Sequence, residues 1–123
     1  IVFGTGGASK SINYVLEHLG IEVLSVSRTP KAGQFSYDQL NDLMIQSCKL
    51  IVNTTPVGMF PNVDMAPILP YESINSNNIC FDIIYNPEET LFLKRARMNG
   101  AQTITGKQMF ETQAKHSWDI WMQ

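Results

Sequence analysis

Three short segments concentrate the residues able to handle an anionic, nucleotide-like ligand. The first is Gly4-Thr5-Gly6-Gly7-Ala8-Ser9, which directly follows the apolar Ile1-Val2-Phe3. An apolar run, a glycine-rich turn and a helix-like stretch make a dinucleotide-binding opening. Gly4 permits a tight turn where a Cβ would clash. Gly6 lets the backbone come close to a pyrophosphate. The helix start that follows offers unpaired N–H groups and the positive end of its dipole to the anion. The spacing is G-x-G-x-x-S, so Ser9 stands where the usual fingerprint has its third glycine. By itself the turn also suits a plain strand-to-helix loop.

The second segment is Ser27-Arg28-Thr29, at the end of the next apolar run. An acidic residue at this point of an NAD-binding unit accepts bonds from the ribose 2′-hydroxyl. This chain has neither Asp nor Glu there. Arg28 instead presents a planar fork suited to a phosphate. Ser27 and Thr29 add hydroxyls and Lys31 adds charge, which favours NADP over NAD. The plain alternative is a solvated arginine in a loop.

The third segment is a pair of clusters, Asn53-Thr54-Thr55-Pro56-Val57-Gly58-Met59 and Asp82-Ile83-Ile84-Tyr85-Asn86-Pro87. Each closes an apolar run, and ligands of open α/β sheets bind at the carboxyl ends of parallel strands. Thr54 and Thr55 are small and polar enough to lie along a ribose or an amide. Ile83 could supply an apolar floor for a nicotinamide, and Tyr85 a hydroxyl at the same edge. Asn, Pro and Gly equally favour simple turns.

These segments need a scaffold that brings them to one edge. Apolar β-branched runs alternate with helical stretches, which implies parallel strands and right-handed crossovers. Strands are expected at 1–3, 23–27, 50–53, 79–84 and 102–105. Helices are expected at 11–19, from the Ser36–Gln39 capping box onward, at about 89–99 and at about 108–122. A long loop with four prolines holds a short helix near 71–74. Inward faces are assigned to Ile12, Val15, Leu16 and Leu19, then to Leu40, Leu43 and Met44. Phe110, Ala114, Trp118 and Trp121 form a stripe along the last helix, read as core or domain-contact aromatics. Met44, Met59, Met98, Met109 and Met122 are expected to pack inside. His18 and His116 are expected at the surface. The fold class is α/β, a Rossmann-like doubly wound parallel sheet in a single domain spanning 1–123.

Composition excludes several function classes. The chain has 123 residues, 44% of them hydrophobic, and a net charge of −2, which suits one globular domain. The nine Lys and Arg are scattered, so no nucleic-acid face forms. No apolar run approaches the ~20 residues that span a bilayer. Cys48 and Cys80 form no metal-type spacing and read as free thiols in a reducing cytoplasm. The first strand has no leader, so the chain is expected to be cut from something longer.

In order and spacing, G-x-G-G-A-S, S-R-T, N-T-T-P-V-G-M, D-I-I-Y-N-P-x-x-T and G-x-x-M-F-x-x-Q-A resemble the carboxyl-terminal cofactor domain of the shikimate dehydrogenase family. The likeness covers nearly the whole chain. It implies NADPH-dependent reduction of 3-dehydroshikimate to shikimate, in aromatic amino-acid synthesis. Gly4, Gly6, Gly7 and Ala8 would form the phosphate loop, and Ser27, Arg28, Thr29 and Lys31 would clamp the adenosine 2′-phosphate. Thr54 and Thr55 would lie along the cofactor, with Ile83 and Gly106 beside the nicotinamide. Tyr85 and Gln113 would reach the substrate.

Some features depart from the family pattern. Thr29 and Pro30 alone separate Arg28 from Lys31, where many members have a longer loop. Gln108 stands where many carry a glycine. The family's catalytic Lys and Asp belong to an amino-terminal substrate domain, in motifs resembling N-V-T-x-P-x-K and N-T-D-x-x-G, and neither motif occurs in this chain. No catalytic or metal-binding residue is therefore assigned. The chain is expected to hold NADP yet not to turn over shikimate alone. Self-association as a homodimer is one way to cover the face that would meet the missing domain. Rival readings are an NAD-dependent quinate/shikimate dehydrogenase, the nucleotide domain of glutamyl-tRNA reductase, and a non-catalytic NADP-binding or regulatory module.

Overall fold

The computed structural model describes residues 1–122. Five strands form one parallel sheet: β1 (Val2–Phe3), β2 (Ser25–Val26), β3 (Leu50–Asn53), β4 (Ile79–Asp82) and β5 (Gln102–Ile104). Their order is β2-β1-β3-β4-β5. Four helices intervene: α1 (Gly7–His18), α2 (Asp42–Ser47), α3 (Leu91–Met98) and α4 (Gly106–Trp121). The order reverses at β1, with β2 on one side and β3 to β5 on the other. With right-handed crossovers, that reversal sends helices to both faces of the sheet.

The expected Rossmann-like α/β architecture is present. Strands covered on both faces need apolar runs, and Val2, Phe3, Ile51 and Val52 are all buried. Phe3 is central. It stacks on Tyr37 at 5.6 Å between ring centroids and meets Phe92 edge-on at 6.3 Å. Ile45, Phe92, Leu93 and Ala96 complete the core from α2 and α3.

Several boundaries and faces differ from the sequence expectation. The second strand is two residues rather than five. The Ser36 capping box exists, with Gln39 Oε1 accepting from Ser36 N at 2.8 Å, but it caps a 3₁₀ turn at Tyr37–Gln39. Leu40 is extended, and Asn41 starts α2 with its own cap, its Oδ1 accepting from Met44 N at 2.9 Å. This restart rotates the apolar face. Ile45 is buried, Leu40 and Met44 are half-buried, and Leu43 points to solvent.

In α1, Ile12 and Leu16 are half-buried while Val15 and Leu19 are exposed. Beneath this helix lie two strands of two residues each, too small a surface for a full stripe. The last helix departs furthest. Phe110, Ala114, Trp118 and Trp121 are all solvent-accessible, with Phe110, Trp118 and Trp121 at 55%, 60% and 78%, and the aromatics belong to no core in this chain. Met59, Met98, Met109 and Met122 are exposed too, and Met44 alone of the five packs inward in part. Cys80 is buried and Cys48 half-buried, both as free thiols. Among the described residues no helix is long and apolar enough to cross a membrane.

Candidate functional site

Parallel register aligns the ends of the strands. Phe3 lies opposite Val26 on one side and Asn53 on the other, Asn53 lies opposite Asp82, and Phe81 lies opposite Ile104. One step beyond this level the same register runs Ser27, Gly4, Thr54, Ile83 and Gly106. Backbone bonds extend it: Gly4 N donates to Val26 O at 2.9 Å, Thr54 N to Phe3 O at 2.9 Å and Ile83 N to Asn53 O at 3.2 Å. Four strand spacings cover about 19 Å, the scale of an extended dinucleotide. Five residues singled out in the sequence thus form one row along the carboxyl edge, crossing the reversal at β1.

Second in the row, where the strand order reverses, Gly4 has φ +105°, and a Cβ there would fall 2.6 Å from Thr54 Oγ1. Thr54 Oγ1 is itself held by donating to Phe3 O at 2.5 Å. Gly6 is the N-cap of α1 and supplies no side chain, and the first turn carries no acid. The N–H groups of Gly7, Ala8 and Ser9 have no partner within the helix. An added Cβ at Gly6 or Gly7 would meet no atom within 4 Å. Packing inside the protein therefore does not require glycine at either position, whereas close approach of a ligand to the backbone would. Ser9 replaces the third glycine without disturbance, since it is buried and donates to Gly6 O at 2.6 Å.

The loop after β2 is a compact structure. Ser27 N donates to Phe35 O and Phe35 N to Ser25 O, each at 2.9 Å, so residues 27–35 close on themselves. Thr29 N donates to Ser27 Oγ at 3.1 Å, and Lys31 N to Gln34 Oε1 at 2.9 Å. Arg28, Thr29 and Lys31 face solvent. Among the described residues the ion pairs are Arg97–Glu89 and Lys107–Glu88, so Arg28 and Lys31 have no carboxylate partner. Burial pushes the Tyr37 hydroxyl up, and the positive charge of Arg28 opposes that shift. Arg28 follows Ser27, which the register sets opposite Gly4. No Asp or Glu occurs from Ser27 to Tyr37.

Under the other half of the row lies a buried polar network. Asn53, Asp82 and Thr90 are each 0% exposed. Asn53 Nδ2 donates to both Asp82 oxygens at 3.3 Å, and Thr90 Oγ1 donates to Asp82 Oδ2 at 2.8 Å. Ile84 N donates to Asp82 Oδ1 at 3.1 Å. Asn53 Oδ1 accepts from Thr55 N at 3.0 Å and Thr55 Oγ1 at 2.7 Å. Burial raises the Asp82 pKa, and the bonds from Ile84, Thr90 and Asn53 counter it. Sequence reasoning gave roles to Thr55 and Ile83, whereas Asn53, Asp82 and Thr90 stood in the same motifs without one. A polar residue ending each of two apolar strands was the available signal.

Past the network, Gly106 lets α4 start against β4. A Cβ there would collide with the carbonyl oxygens of Ile83 and Ile84. Thr105 and Gln108 form the capping box of α4. The exposed Tyr85 ring stacks on Phe110 at 5.5 Å between centroids. Gln113 lies one helical step (i+3) from Phe110 and lines a shallow groove of about 530 Å³ with Ile104, Met109 and His116. Tyr85 and Gln113 thus belong to one end of the row and the Arg28 loop to the other. Among the described residues no group of three or more His, Cys, Asp or Glu side chains converges on a metal position.

Known proteins resemble this chain in sequence and in fold. No family model matches the chain. A shikimate dehydrogenase (NADP(+)) of Methanococcus maripaludis is 34% identical, the match covering 98% of this chain and 48% of that protein. One of Crocosphaera subtropica is 36% identical over 100% of this chain and 49% of that protein. Over essentially its whole length the chain is similar to shikimate dehydrogenases. It spans about half the length of the curated relatives it matches. A solved shikimate 5-dehydrogenase of Thermus thermophilus, in complex with NADP(H) and shikimate, is 27% identical with a TM-score of 0.80. That match covers 98% of this chain and 47% of the other. The shared fold therefore extends over essentially the whole domain.

Proposed function

We propose that this chain is the NADP-binding domain of a cytoplasmic shikimate dehydrogenase, whose whole reaction is NADPH-dependent reduction of 3-dehydroshikimate to shikimate. One observation carries the reading. An unpartnered arginine in an acid-free loop adjoins the same register row as a glycine turn with an open helix start. Arg28 and Lys31, with Ser27 and Thr29, would hold the adenosine 2′-phosphate. Gly4, Gly6, Gly7 and Ala8 would cradle the diphosphate with backbone N–H groups. Thr54 and Thr55 would follow the cofactor along the row to Ile83 and Gly106, which would flank the nicotinamide. Tyr85 and Gln113 would reach toward the substrate from that end.

Bound NADPH supplies the hydride. The chain's own residues orient its ring, and orientation of that kind is worth several kcal/mol of a barrier. Reducing a ketone also requires a positioned acid to protonate the new alkoxide. None of the residues on the row is a Lys–Asp pair, so the proton donor and most of the substrate site would come from a separate amino-terminal domain. By itself the chain would bind cofactor without turnover, and the NADP in the names of its relatives supports that role.

Calorimetry with NADP⁺ and NAD⁺ tests the reading. Wild type should prefer NADP⁺. Arg28→Ala should weaken NADP⁺ by about 1–3 kcal/mol, the scale of a charge-assisted hydrogen bond, and leave NAD⁺ nearly unchanged. Equal losses for both would show that Arg28 does not read the phosphate.

A further inference from the structure

We propose that Asp82 is a positioning residue that sets the nicotinamide end of the cofactor site without touching the ligand. The inference rests on the NADP reading above. Ile83 sits on the row and is half-buried, whereas Asp82, one residue earlier, is fully buried. Successive strand residues point to opposite faces, so the carboxylate faces into the protein and acts on the site through what it binds.

Three separate segments converge on that carboxylate. Asn53 reaches it from the end of β3, Ile84 N from the exit of β4 and Thr90 from the cap of α3. Thr90 Oγ1 also accepts from Leu93 N at 3.3 Å, which ties the group to the first turn of α3. Through Asn53 the constraint passes to Thr55, and Thr55 Oγ1 in turn accepts from Val57 N at 3.2 Å. Two row residues, Thr54 and Ile83, are thereby flanked by bonds that lead back to one side chain.

The chemistry selects a carboxylate. Every neighbour is a donor, and an ionised carboxyl accepts at both oxygens. An asparagine at 82 would turn an NH₂ group toward Asn53 or Thr90. Burying a carboxyl group is costly, and this one has hydrogen-bond donors but no ion-pair partner among the described residues. Specifying the relative placement of β3, β4 and α3 is the role this geometry fits.

The test separates the two ends of the row. Calorimetry on this chain compares NADP⁺ with adenosine 2′,5′-bisphosphate, which keeps the 2′-phosphate end and lacks the nicotinamide. Asp82→Asn should raise the Kd of NADP⁺ about tenfold and change that of the bisphosphate by less than about twofold. The exchange N53D/D82N restores a donor–acceptor pair between the two positions and should recover part of the loss, since position 53 then no longer donates to Val57 O. Thr90→Val removes one bond to the carboxylate far from the ligand and should weaken NADP⁺ by a smaller factor. Equal weakening of both ligands by D82N would mark general damage and overturn the proposal, as would unchanged NADP⁺ affinity. If D82N does not fold, T90V decides, and wild-type NADP⁺ affinity in T90V overturns the proposal. A wild-type chain that binds neither ligand would refute the NADP reading and this proposal with it, whereas effects confined to the variants leave that reading standing.

Discussion

Replacing Gly4 by alanine puts the turn after β1 under a quantitative test. Two costs and one gain compete. At φ +105° an L-residue is strained, by about 1–2 kcal/mol. The new Cβ, 2.6 Å from Thr54 Oγ1, must displace that hydroxyl and break its bond to Phe3 O, a net loss of about 1 kcal/mol. Lower entropy of the unfolded chain returns about 0.4–1 kcal/mol. The balance is a destabilisation of about 2 kcal/mol. In a Thr54→Ala background the clash partner is gone, and the nearest remaining side-chain atom is Thr55 Cγ2 at 3.1 Å. Gly4→Ala should then cost about 1 kcal/mol less, leaving mainly backbone strain. Urea unfolding of the four proteins, followed by far-UV circular dichroism, reads both quantities as shifts in midpoint at constant slope. A loss below about 0.5 kcal/mol for Gly4→Ala, or strict additivity of the two changes, would refute the account of why glycine stands there.

Other consequences can be checked on the same protein. Burial pushes the Cys80 thiol up to about 12 from its ordinary 9.0, so thiol reagents at neutral pH should spare it in the native state and label it on unfolding. Rapid native labelling would contradict the packing. The folded form keeps that proton where the unfolded form has lost it, so stability should fall as pH rises from about 9 to about 12, a slope that Cys80→Ala should make shallower, most clearly near pH 9 before the buried Tyr37 and Tyr71 contribute. Trp121 is 78% exposed, and Trp121→Ala should change stability by less than about 0.5 kcal/mol. A loss above about 1 kcal/mol in thermal or urea unfolding would show that α4 packs on the domain.

Much of the site was legible because its cues are local. A glycine turn after an apolar run, an arginine where an acid usually stands, and small polar residues closing later strands are each readable within a few neighbours. The existence and order of the strands followed from β-branched runs, and β3 was placed to the residue, whereas the other four are shorter than their apolar runs. Helix faces were less legible. Two competing caps, Ser36 and Asn41, lie five residues apart, and the extended Leu40 between them decided which one began α2. That shift exchanged Leu43 for Ile45 as the buried side chain. In α4 the apolar stripe is real in the sequence, but periodicity reports only which residues share a face, not whether anything covers it.

The order of segments and their chemistry therefore came from residue types alone, since turn geometry, caps and phosphate-matching groups act over one or two turns of chain. Tertiary structure decided what depends on distant pairing. Parallel register put Ser27, Gly4, Thr54, Ile83 and Gly106 on one level, and only the folded sheet brought Asn53, Asp82 and Thr90 together across 29 and 8 residues of sequence. It also left the aromatic face of α4 bare, because burial is set by what lies opposite a surface, and no local pattern encodes that.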